Sequence, residues 1–180
     1  MMKYIAIVYE SLFGNTRQIA ETIRDELRAS HPEAEVDCLR VDQADPEHLE
    51  SVDLLVVGGP THLYGMSSRV SRKMGVKAER AKIAQGETVR EPEPGAQGPG
   101  VRTWLRALHT AQGRPRAAAF DTRTGMLTAG GAAHGIARGL RGHGYELIAP
   151  PMGFIVDGAA DGPLQTGEID RARSWAATLG

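Results

Sequence analysis

One cysteine, Cys38, stands in a chain of 180 residues. A single cysteine excludes an internal disulfide and any thiolate metal cluster. A chain built this way suits a reducing cytosol, and a cytoplasmic location is expected. Neither sign of charge dominates: 21 Lys and Arg stand against 22 Asp and Glu, for a net charge of -1. There is therefore no general electrostatic case for nucleic acid or membrane binding. The apolar run Tyr4–Tyr9 is far too short to span a bilayer, and too short for the core and flanks of a signal peptide. The six histidines show no ligand spacing, HExxH is absent, and no metal site is expected. GxSxG is absent and Ser11 has no adjacent base, so no catalytic nucleophile is assigned.

What is present reads as one α/β domain over residues 1–180. Tyr4–Tyr9 is continuously apolar, as suits a strand covered on both faces. Ile19, Ile23 and Leu27 make one face of a helix over about Asn15–Ala29, which Pro32 stops. Val36–Val41 reads as a more polar edge strand, Pro46–Leu49 as a short helix, and Val52–Val57 as a third strand ended by Gly58-Gly59-Pro60. A helix is expected from near Ser67, with Met66, Val70, Met74 and Ala78 inward. Gly86–Gly100 is rich in proline and glycine and reads as a mobile insertion. Val101–Leu108 then looks helical. Arg116–Phe120 is the fourth strand, and a helix over Gly131–Arg141 follows with Ile136 and Leu140 inward. Tyr145–Ile148 and Met152–Val156 form one fifth strand broken by Pro150-Pro151. The last helix spans about Gly167–Leu179, with Thr166 as its cap. Strands alternating with helices give a doubly wound five-stranded parallel sheet, order 2-1-3-4-5, with helices on both faces. The ligand site of such a sheet lies beyond the carboxyl ends of its strands, which points to the loops after strands one, three and four.

The first of these loops is Ser11-Leu12-Phe13-Gly14-Asn15-Thr16. A strand turning sharply into a helix offers backbone N–H groups and the positive end of the helix to a phosphate. Gly14 permits close approach, Ser11 and Thr16 add hydroxyls, and Asn15 can bridge loops or cap the helix. The hexapeptide lacks the GxxxxGK[ST] of triphosphate loops and the GxGxxG of dinucleotide folds. Set after an apolar strand, it resembles the FMN phosphate loop of flavodoxins and flavodoxin-like oxidoreductases. The resemblance covers nearly the whole chain. Pro60-Thr61-His62-Leu63-Tyr64-Gly65, with Gly58, Gly59 and Met66 around it, looks like the family's second flavin loop. Phe120-Asp121-Thr122-Arg123 looks like the third, and Asp161-Gly162-Pro163-Leu164 also recurs. The resemblance implies a flavodoxin-like fold that binds FMN through these segments.

Two departures bear on function. Electron-carrying flavodoxins are strongly acidic and sandwich the flavin ring between aromatics. Here aromatics are 5% and the charge is near neutral. Tyr64 either stacks on the ring or packs on the core, and His62 either meets flavin or faces water. Asp121 either accepts from the ring or pairs with Arg123; an Arg123 beside the ring would favour two-electron chemistry. Arg69, Arg72, Lys73, Lys77 and Arg80 form either a solvated helix face or a grip on NADPH or an acidic partner. Three readings follow: electron transfer with a redox partner protein, NAD(P)H-dependent reduction of a small electron acceptor such as a quinone, and a binding or regulatory module without flavin. The oligomeric state is left open.

Overall fold

The computed structural model describes residues 1–62, 65–86, 90–125 and 131–180. The elements run β1 (Tyr4–Tyr9), α1 (Asn15–Ser30), β2 (Glu35–Arg40), a 3-10 turn (Pro46–Leu49), β3 (Leu54–His62), β4 (Gly65–Met66), α2 (Arg69–Ala84), α3 (Val101–Ala107), β5 (Arg116–Thr124), α4 (Ala132–Gly142), β6 (Glu146–Leu147), β7 (Met152–Val156) and α5 (Glu168–Ala176). The strand order is β2-β1-β3-β5-β6, with β7 also on β5 and β4 on β3. All pairs are parallel except the short β3–β4 hairpin. With β6 and β7 as one strand interrupted at Pro150-Pro151, this is the expected 2-1-3-4-5 sheet.

Alternate side chains along the strands feed two cores, because the pleat has a period of two. Ile5, Ile7, Leu54, Val56 and Phe120 pack beneath α1 and α5 with Phe154 and Trp175. Ala6, Val8, Leu55, Val57, Ala117 and Ala119 pack beneath α3 and α4 with Trp104, Leu105, Ile136 and Leu140. Gly58 faces the Phe120 ring so closely that a Cβ there would fall on it.

Several expectations are corrected. β3 does not end at Gly58-Gly59-Pro60 but runs on to His62, with Gly58, Gly59 and Pro60 in register with Phe120, Asp121 and Thr122. Pro60 is tolerated because β1 reaches only to Gly58, so no β1 partner needs its missing N–H. β5 likewise continues through Arg123. In α2, Val70 and Met74 are 67% and 62% exposed, and the buried positions are Arg72, Val76 and Glu79. The cap of α5 is Gly167 at φ +90, with no side-chain cap from Thr166. Gly135 lets α4 close on Met66 of β4, and Gly139 lets it close on Leu105 of α3.

Cys38 is free, and burial pushes its thiol up to about 12. The thiolate, which is the nucleophile, is correspondingly scarce. Iodoacetamide labelling at pH 8 is expected to be at least about a hundredfold slower in the native protein than in urea, read by mass spectrometry; equal rates would contradict the burial. Gly58→Ala is expected to destabilise by about 3 kcal/mol in urea unfolding, because the Phe120 ring has nowhere to move in a packed core.

Candidate functional site

The carboxyl ends of β1, β3 and β5 open onto a cleft, at the edge where parallel α/β sheets place their ligand sites. Leu12, Phe13, Asn15 and Thr16 line it from the first loop, Pro60 and Thr61 from β3, and Thr122, Arg123 and Thr124 from β5. Val156 and Ala160 complete the wall.

In the first loop the Gly14 N–H donates to Ser11 Oγ (3.1 Å). Gly14 sits at φ +92, the left-handed conformation that turns the strand into α1. Thr16 and Thr122 share a buried hydroxyl–hydroxyl bond (2.8 Å) that fastens this loop to β5. Asn15 does bridge loops: its Nδ2 donates to Gly162 O (2.8 Å) in the segment that closes the cleft. The N–H groups of Asn15, Thr16 and Arg17 lie in the first turn of α1, where no intrahelical acceptor exists. Among the described residues none of them donates to another group.

The other helices are provided for. α2 has a capping box between Ser68 and Ser71. At α3 the Val101 N–H donates to Glu10 Oε2 (2.9 Å). At α4 the Ala132 N–H donates to Thr61 Oγ1 (2.9 Å) and the Ala133 N–H to Asp121 Oδ2 (2.9 Å). α5 carries Glu168 and Asp170 in its first turn. Among these helices α1 alone has no side-chain acceptor on its first-turn N–H groups and no acid in its first turn, so its positive end is open to an anion.

The third segment is less open than its sequence implies. Asp121 is fully buried. Its carboxylate takes Arg123 Nε at 2.6 Å and Arg123 Nη2 at 2.8 Å, besides the α4 amide. Asp121 is therefore spent on structure, while Arg123 keeps a place on the cleft wall. The Phe120 side chain lies in the core, edge-on to Phe154 and Trp175, and does not line the cleft. Leu63 and Tyr64, with the expected ring stacking, lie outside the described residues, as does the side chain of His62. Gly65 belongs to the hairpin strand β4.

Sequence reasoning missed a buried cluster behind the second segment. Glu10, Ser67 and Arg72 are each about 95% buried or more. Ser67 Oγ donates to Glu10 Oε1. Arg72 Nη1 donates to Ser67 Oγ (3.1 Å) and lies 3.6 Å from Glu10 Oε1. Arg72 thus leaves the basic face on which its spacing placed it; Arg69, Lys73, Lys77 and Arg80 remain exposed. No sequence signal marks the cluster, since Glu10 and Arg72 sit far apart in the chain and each looks like an ordinary surface charge. Among the described residues no group of three His, Cys, Asp or Glu is placed to hold a metal, and no helix is long and apolar enough to cross a membrane.

Comparison with known proteins agrees with this architecture. Residues 6–74 match the flavodoxin domain family. No curated protein matches in sequence. Among solved structures, oxidised flavodoxin 1 from Bacillus cereus superposes with a TM-score of 0.64 at 13% identity, covering 98% of this chain and 97% of the other. A flavodoxin from the domain Archaea gives 0.61 at 17% identity, with 98% and 95% covered. The flavodoxin, WrbA-like protein from Agrobacterium tumefaciens gives 0.55 at 15%, with 98% and 94% covered. The chain has a flavodoxin-like fold. β1 from Ala6 onward, the first loop and α1 lie within the matched segment.

The Glu10–Arg72 pair makes its own prediction. Arg72→Met strands a buried carboxylate, so a loss of about 3 kcal/mol is expected in urea unfolding. A loss under about 0.5 kcal/mol, the level of an ordinary surface substitution, would show that the pair does not hold the fold.

Proposed function

We propose that this chain binds FMN in the cleft and works as a flavin-dependent redox protein. The observation that carries the reading is the uncapped first turn of α1, opening beside the Thr16–Thr122 hydroxyls at one end of the cleft. That donor set suits a phosphate monoester. The rest of the wall, with Leu12, Phe13, Pro60, Val156 and Ala160 among a few threonines, suits a flat, mostly apolar ring with a polar edge. Bound FMN would supply electron-transfer chemistry; the protein supplies position and electrostatics.

Within this reading, Ser11 and Gly14 shape the loop, while Asn15 and Thr16 present its donors. Pro60 and Thr61 form one wall, Thr122 and Arg123 another. The primary reading is electron transfer to a redox partner. The second, an NAD(P)H-dependent reductase of a small acceptor such as a quinone, is favoured by Arg123 on the cleft wall. A cation beside the ring stabilises a reduced, negatively charged flavin, and a tenfold preference corresponds to about 30 mV for a two-electron couple; the Asp121 carboxylate paired with Arg123 offsets part of that effect.

Titration of the protein with FMN, followed by quenching of flavin fluorescence, is expected to saturate at one equivalent. Thr16→Val keeps the side-chain shape and removes a donor, so FMN affinity is expected to fall roughly tenfold or more. No quenching by the unsubstituted protein at tens of micromolar FMN would end the reading. NAD(P)H oxidation that depends on added quinone then separates the reductase from the carrier.

A further inference from the structure

The stretch expected to be a mobile insertion runs, from residue 90 onward, across the outside of the first loop. The Glu93 N–H donates to Leu12 O (2.7 Å). Ala96 is buried in a small cluster with Leu12, Phe13 and Val76. Arg40 Nη1 donates to Pro94 O (2.5 Å) from the far side. Loop, strap and α2 are thereby packed as one unit, and the strap carries two charges to the loop. Glu93 Oε1 takes Arg17 Nε at 2.5 Å. Arg90 Nη1 donates to Phe13 O (3.3 Å) and to Asn15 Oδ1 (2.9 Å).

These two arginines stand differently. Arg17 is matched by Glu93 and Glu21. Arg90 meets no carboxylate among the described residues, and both its bonds run to neutral oxygens through one nitrogen. A guanidinium carries five donors in a rigid plane suited to phosphate oxygens. Anchored on Asn15, the first residue of α1, it stands within a side-chain length of the helix's unpartnered amides.

We propose that Arg90 is the residue by which the site distinguishes a phosphorylated from an unphosphorylated flavin. Resting on the FMN reading above, this assigns the strap a binding role: it delivers the cation that the first loop lacks in its own sequence. The backbone amides and threonine hydroxyls hold the phosphate by neutral dipoles, and Arg90 adds the one charge-assisted contact. Arg17 does not substitute for it, because its guanidinium is already engaged by two carboxylates.

The test compares FMN with riboflavin, binding to the whole chain and to Arg90→Gln, across a range of salt concentrations. Arg90 is exposed, so the fold is expected to survive the change, and the urea midpoint checks it. At low salt Arg90→Gln is expected to weaken FMN about tenfold or more while leaving riboflavin within about twofold. The loss is expected to shrink at high salt, where screening removes the charge term from the unsubstituted protein. Arg90→Lys is expected to recover part of the affinity, and with it part of the salt dependence. If Arg90→Gln weakens FMN by the same factor at every salt concentration, Arg90 is only a brace for the loop and the proposal fails. An unchanged FMN affinity, or an equal loss for riboflavin, also overturns it. Failure of the unsubstituted protein to bind FMN removes the underlying reading instead.

Discussion

The fold turns on one buried carboxylate. Glu10 stands at the end of β1, and taking an ionised side chain out of water costs several kcal/mol unless its oxygens are matched. Here Ser67 and Arg72 meet one oxygen and the Val101 N–H meets the other. Those partners sit just before α2, within its first turns, and at the start of α3. A single group therefore fixes where both helices of the β3–β5 crossover begin. Gly100 is required for the same reason: a Cβ there would collide with the Arg72 guanidinium and crowd Glu10. The second segment of the cleft, strung between Gly58 and Ser67, hangs from this point.

The same device recurs at β5. Asp121 closes the start of α4 and holds Arg123, while Thr61 on β3 serves the neighbouring amide. α4 begins at Gly131-Ala132-Ala133, with no side chain of its own to act as a cap. Strand-end residues supply caps to the helices whose starts crowd the carboxyl edge of the sheet. A parallel sheet brings several helix N-termini to that edge, and their positive ends repel one another unless matched. By matching the others, the fold concentrates the remaining positive potential at α1, and the cleft derives its polarity from that one omission.

How much of this the sequence disclosed depended on whether the signal was local. The apolar runs of β1 and β3, the Ile19–Ile23–Leu27 stripe and the Ser11–Thr16 loop are local patterns, and the strand order followed from their alternation. The inward face of α2 did not follow. Val70 and Met74 have the right spacing for a buried stripe, yet α2 turns Arg72 and Glu79 inward, because their partners Glu10 and Lys82 make burial tolerable. Asp121 and Thr122 looked like a loop because they are polar. They are strand residues because Arg123, Ala133 and Thr16 satisfy them in place. The proline and glycine content of 86–100 describes a chain that cannot build a helix or strand. It says nothing of whether Arg90 and Glu93 will find Phe13, Asn15 and Arg17 far back in the sequence.

The two ends of the cleft are consequently unlike in charge. At α1 the first-turn amides are unpartnered, and the nearest carboxylate, Glu93, holds Arg17 through Oε1 while its Oε2 is buried without a partner among the described residues. At β5 the Arg123 charge is balanced by Asp121 in a two-point contact, so that wall is polar without being strongly cationic. A dianion placed at the β5 end would meet a guanidinium already committed to a carboxylate; placed at the α1 end it meets unpartnered amides. On the proposed FMN reading, this difference favours a pose with the phosphate against α1 and the ring between Pro60–Thr61 and Thr122–Arg123. Orientation on this account is decided by which helix was left uncapped, before any contact with the ring is made.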